Sequence, residues 1–183
     1  MKKTTSIKDY KLSSLTMLIL PQFDDFGNVY SKVIEERREI IVMGRPRRII
    51  QAACEYFGSN LSGRQRGTRA IAGFTNKVPI AIEPYSNIYF FPTGSPRVAT
   101  SAWLSHSHVV KLNHIAPQQT EVVFNNGYRV ILKASQGSLT NQLHRTAQLR
   151  FLIEQRIKDS KVDRQTPQLS RVADSKRYFQ PFS

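Results

Sequence analysis

Short runs of apolar residues, many alternating with polar ones and most closed off by turn-forming residues, recur along much of this chain and restrict its fold more than any other feature. A run with period two buries one face of a strand, and runs this short suit hairpins and meanders better than long helices. Thr16 to Leu20, Val29 to Ile34 and Glu39 to Met43 make the first group, with Asp24-Asp25-Phe26-Gly27-Asn28 as the turn between the first two. Further runs cover Ile80 to Glu83, Asn87 to Phe91, Ala102 to His106, His108 to Leu112, Thr120 to Phe124 and Tyr128 to Lys133. Asn125-Asn126-Gly127 is a strong hairpin turn between the last two.

Two stretches break this period. Pro46 stands where a first helical turn tolerates proline, and Ile49, Ala52, Ala53, Tyr56 and Phe57 then follow helical spacing until Gly58. Ser138 to Lys158 also reads as a helix, but its apolar residues spread over more than one face, so it either crosses the core or docks on a second subunit. Gly58 to Gly73 is open between a loop and an irregular helix. The expected fold class is therefore α+β: an antiparallel, β-rich single domain with an amphipathic helix after the first meander and a C-terminal helix. Residues 1–12 are expected as a flexible basic arm, 13–158 as the domain and 159–183 as a disordered tail.

Charge narrows the function. With 27 Lys and Arg against 13 Asp and Glu, the net charge of +14 favours a polyanionic partner, through counterion release and long-range steering. Half of that excess lies between Arg37 and Lys77, where nine basic residues face only Glu39 and Glu55. Eight of the nine are arginines, whose planar forks suit phosphates and narrow grooves. Arg45, Arg47, Arg48, Arg64, Arg66, Arg69 and Lys77 are the candidate DNA-binding residues. Gly58, Gly63 and Gly67 could bring backbone N–H groups close to phosphates, although neither a P-loop nor a dinucleotide fingerprint surrounds them. No apolar run approaches the roughly 20 residues that span a bilayer, and no signal-peptide layout follows Leu15 to Pro21. The single cysteine, Cys54, reads as a buried structural thiol and suits a reducing compartment, so the expected location is cytoplasmic.

Chemistry of other kinds finds little support. His106 and His108, two apart on an expected strand, would share a face and begin a metal site, but no third ligand is evident. Asp24-Asp25 and Glu35-Glu36 lack the pattern of a metal-dependent nuclease, and no nucleophile motif is present. No catalytic residue, metal or cofactor is assigned, and the chain reads as a binding protein rather than an enzyme. The rival binding mode is a single-strand DNA- or RNA-binding protein stacking bases on Tyr89, Phe90, Phe91 or Trp103, for which core packing is the competing role.

Several strings taken together resemble the ComK family of competence transcription factors. They are Phe57-Gly58-Ser59, Gly63-Arg64, Gly67-Thr68, Pro79-Ile80, Pro84 and Asn87-Ile88-Tyr89-Phe90-Phe91-Pro92-Thr93 in the first half. Trp103-Leu104-Ser105-His106-Ser107-His108-Val109 is the most distinctive. Thr120-Glu121-Val122, Phe124-Asn125-Asn126-Gly127, Asn141-Gln142 and Arg145-Thr146-Ala147-Gln148-Leu149-Arg150 follow in order, so the likeness runs from about Leu15 to Ile157. The resemblance implies an activator of natural-transformation genes that binds paired A/T-rich boxes as a dimer of dimers, largely through the minor groove. It also implies control by an adaptor and a Clp protease. Tyr178-Phe179-Gln180-Pro181-Phe182 is only loosely similar to the aromatic motif such an adaptor would take.

Overall fold

The computed structural model describes residues 4–162. Ten strands form two sheets. The larger has the order β1-β4-β3-β2-β7-β6-β5, from β1 (Thr4–Ser6), β2 (Thr16–Phe23), β3 (Val29–Glu35), β4 (Glu39–Met43), β5 (Ile80–Glu83), β6 (Ile88–Pro92) and β7 (Trp103–Ser105). The smaller is the meander β8 (Val109–Ala116), β9 (Gln119–Phe124) and β10 (Arg129–Leu132). All pairings are antiparallel except β1 with β4. Between β4 and β5 lie α1 (Pro46–Tyr56) and α2 (Leu61–Ala72), and α3 (Gln136–Val162) follows β10. This is the α+β, β-rich architecture expected from the strand and helix periods.

The large sheet is buried on both faces, and alternation assigns each residue to one side. Ile19, Val33, Val42, Phe90 and Trp103 pack with Ile49, Ile50 and Ala53 of α1. Their neighbours Leu18, Ile34, Phe91 and Leu104 pack with Val122, Phe124 and Leu132 of the small sheet and Leu139 of α3. Helix α1, with the start of α2, therefore covers one face of the large sheet, and the small sheet together with α3 covers the other. At the β5–β6 end, Ala81 and Tyr89 meet Leu149 of α3, with Ile71 and Phe74 packed beside them. The apolar residues of α3 spread around the helix because its start serves one cluster and its later turns another. Trimming any of the fully buried side chains to alanine would cost about 2–5 kcal/mol.

Five expectations change. Residues 4–12 are not a loose arm: β1 adds in parallel to β4, and Tyr10 and Leu12 are buried in the helix-side core. The Tyr10 hydroxyl lies 2.8 Å from Thr16 Oγ1 and donates to Glu35 Oε1 at 3.1 Å, while Arg38 Nε donates to Glu35 Oε2 at 2.6 Å. The stretch Leu61–Ala72 is a regular helix, capped by Asn60, whose Oδ1 accepts the Gly63 N–H at 2.7 Å. A Cβ on Gly63 would press on that same Asn60 side chain, so glycine makes room for the cap. With their N–H groups committed to Glu55 and to the cap, Gly58 and Gly63 form no phosphate cradle. His106 and His108 occupy a 3₁₀ turn rather than a strand face. Finally, α3 begins at Gln136 and continues to Val162, past the expected boundary at residue 158; the rest of the expected tail lies outside the described residues.

Candidate nucleic-acid interface

Gly44 decides where the arginine run points. Its φ of +149° is open to glycine, and a Cβ there would collide with the Ile7 side chain crossing from the N-terminal segment. Ser31 Oγ donates to the Gly44 carbonyl at 2.6 Å and fixes the exit from β4. The chain then turns outward through Arg45, which has an extended backbone, and Pro46 opens α1. Pro46, Ile49 and Ile50 face the core, which leaves Arg45, Arg47 and Arg48 exposed around the helix N-terminus. No side chain caps this end and no acid stands in its first turn, so the helix dipole adds to three guanidinium charges.

Facing that end is the β6–β7 loop. Thr93 N–H donates to Ala102 O at 2.9 Å across its base, and turns from Ser95 to Val98 and from Val98 to Ser101 shape its tip. Two clefts run between this loop and the helices. The first, about 640 Å³, has Arg45, Arg47 and Arg48 on one wall and Pro96, Arg97 and Val98 on the other. Ser101 and Trp103 also line it. The second, about 290 Å³, continues past Arg47, Pro96 and Arg97 to Arg69 and Lys77. Six cationic side chains line the pair, and no acidic one does.

The structure thus gathers five of the seven candidates: Arg45, Arg47, Arg48, Arg69 and Lys77. Gln65 and Arg69, one helical turn apart, turn the same face of α2 to the second cleft. Lys77 adopts a left-handed backbone (φ 46°), and its Nζ donates to Ser138 Oγ at 3.2 Å, which ties the cleft edge to α3. Arg66 is exposed on α2 outside both clefts. Arg64 stands apart, half-buried, with its Nε unpartnered and its charge near Cys54, Glu83 and Tyr89. Arg97 is the cation that a search for dense charge misses, because it lies twenty residues beyond Lys77 and arrives through the β6–β7 hairpin.

Other candidate chemistries find no geometry. Tyr89, Phe90, Phe91 and Trp103 are all buried, so none of these rings offers a face for base stacking. His108 Nδ1 lies 2.8 Å from Ser105 Oγ while Nε2 faces Glu36 Oε1 at 3.4 Å. Burial lowers the His108 pKa, and the opposing pull of Glu36 does not reverse it, which favours the neutral ring. Burial also lowers His106, with nearby Arg150 adding to the effect. Among the described residues, no group of three or more His, Cys, Asp or Glu is placed to hold a metal ion. Cys54 is buried, and burial pushes its thiol up to about 11. Among the described residues, no helix is long and apolar enough to cross a membrane.

The family model described as ComK protein matches residues 7–158, nearly all of the two-sheet body. The chain belongs to the ComK family. It is also 35% identical over 156 residues to the competence transcription factor of Bacillus subtilis (strain 168), covering 85% of this chain and 81% of that protein. No solved structure matches. The matched span contains both walls of the paired clefts, so the basic surface belongs to the part of the chain that defines membership.

Proposed function

We propose that this protein is a competence transcription factor that binds double-stranded promoter DNA through the paired clefts and activates genes for DNA uptake. One observation carries the reading: six cations and no acid surround two adjoining clefts at an uncapped helix N-terminus. An anionic polymer is what such a surface attracts, because each phosphate it neutralises releases condensed counterions. Family membership and the likeness to a competence transcription factor support the same reading.

In this reading Arg45, Arg47, Arg48, Arg69 and Lys77 contact DNA directly, and Arg66 extends the basic field along α2. Arg64 acts from a more buried position. A/T-rich boxes suit this set, because their narrow minor groove deepens the negative potential that draws arginine. Binding as a homo-oligomer, a dimer of dimers on paired boxes, and control by a Clp-protease adaptor complete the proposal. The protein works in the cytoplasm, at the nucleoid, with no cofactor. Footprinting on competence promoters, with single strands of the same sequence as competitor, tests it. Protection of paired A/T-rich boxes that duplex competes away better than single strands is the expected result. Preference for single strands would overturn it.

A further inference from the structure

We propose that the two clefts form one track for the phosphates of a single DNA strand. In it the β6–β7 loop is the second wall, Arg97 is the contact shared by both halves, and Trp103 lies in the floor. The inference rests on the DNA-binding reading and deepens it.

The clefts are separate spaces, yet Arg47, Pro96 and Arg97 line both. Those side chains therefore stand at the passage between them, with Arg47 on the helix side and Arg97 on the loop side. A small anion would fill one half and leave the other charged and empty. A polymer with a negative group at each repeat fills both and passes between the two guanidiniums. Every charged residue on the lining is cationic, so the occupant must bring negative charge at both ends of the passage.

A second observation comes from the floor. Trp103 is fully buried, and its indole Nε1–H is a donor with no hydrogen-bond partner. Tryptophan buried in a core normally satisfies that donor, and an orphan costs stability unless an acceptor arrives. Trp103 is also among the residues that line the first cleft, beside Ser101 and the α1 arginines. A phosphate seated there supplies the missing acceptor once the exposed loop residues Arg97 and Val98 shift to admit it. The loop is built for such a role: its base is pinned by the Thr93 and Gly94 N–H groups, which donate to Ala102 O at 2.9 Å and Ser101 Oγ at 3.1 Å, while its tip is exposed.

Trp103 is the only tryptophan of the chain, so its fluorescence reports on the floor without any label. The experiment titrates the full-length protein with an A/T-rich duplex, and separately with inorganic phosphate, while Trp103 emission is read. Binding of wild type, R97A, R97K and R129A is then measured at several salt concentrations. Arg129 is the control, since it lies on the small sheet, on the opposite side of the large sheet from α1, paired with Glu121. Emission should shift with duplex and saturate with binding. R97A should lower the salt slope by about 0.9, so that wild type loses about 3.5-fold more affinity than the variant between about 50 and 200 mM salt. R97K should keep the slope, and R129A should match wild type. An unchanged slope in R97A, or emission that ignores bound duplex, overturns the track while leaving DNA binding intact. A response to inorganic phosphate equal to that of duplex overturns it in favour of a small-anion pocket. Failure of wild type to bind any duplex overturns the DNA-binding reading itself, and the track with it.

Discussion

Replacing Arg45, Arg47 and Arg48 together with alanine should flatten the salt dependence of duplex binding and leave the fold intact. All three side chains are exposed on the wall of the first cleft, and α1 begins with Pro46 and is held by Ile49, Ile50 and Ala53 beneath them. If each arginine neutralises one phosphate, the slope of log affinity against log salt falls by about 2.7. Between about 50 and 200 mM salt, wild type would then lose about 40-fold more affinity than the variant. Stability moves the other way. Cations at a helix N-terminus oppose the dipole, so each replacement leaves α1 unchanged or favours it by roughly 0.3–1 kcal/mol. For the three together, a rise in melting temperature of up to about 10 °C is the corresponding signature. Fluorescence anisotropy of a labelled duplex at four salt concentrations, with a circular-dichroism melt of each protein, measures both effects. A folded triple variant with the wild-type slope would refute the placement of DNA at the α1 end. A variant that melts well below wild type would refute the claim that these arginines serve binding and not the fold.

Gly67→Ala should stabilise the protein by up to about 1 kcal/mol, because Gly67 lies inside α2, a Cβ there meets nothing within 4 Å, and alanine lowers the entropy of the unfolded chain; a thermal or urea melt reads it, and destabilisation would contradict the open space. Burial depresses His106 and His108 below 6.5, so the unfolded chain takes up their protons first as pH falls. Their contribution is fully present above 6.5 and fades below it, until pH passes the lowered native values. The melting temperature should drop from pH 7 to pH 5, and His106→Gln with His108→Gln should flatten that drop; a melting temperature that rises toward pH 5 would contradict buried neutral rings.

Most of the sheet was legible because its signals are local. Asp24 to Asn28 and Asn125 to Gly127 mark hairpins, and the runs between them alternate. The helix after Pro46 was equally plain, since its apolar residues keep helical spacing and Gly58 ends it. What sequence could not show depends on distant partners. The segment Thr4 to Leu12 has three separated apolar residues and no period, and its strand, Thr4–Ser6, forms against the edge that β4 offers. In α2, two glycines and three arginines mask the helix, which is held by the Asn60 cap, buried Leu61 and a bond from Thr68 Oγ1 to Pro79 O at 3.0 Å. The candidate site divides the same way. Charge density found the run from Arg45 to Lys77, but density carries no helix phase, so it could not separate Arg69 on the cleft from Arg64 away from it. It also could not see Arg97, which only the β6–β7 pairing brings across.

The parallel strand β1 has a consequence for how the large sheet ends. Without it, β4 would end the large sheet with unpaired N–H and C=O groups along five residues, a template for strand addition by another chain. Three residues, Thr4 to Ser6, cover that border and offer only a short edge of their own. The opposite border, β5, is four residues long and irregular in its register with β6. The large sheet is thereby kept from zipping, edge to edge, onto another chain. Removing the first six residues would uncover that border and open a route to aggregation.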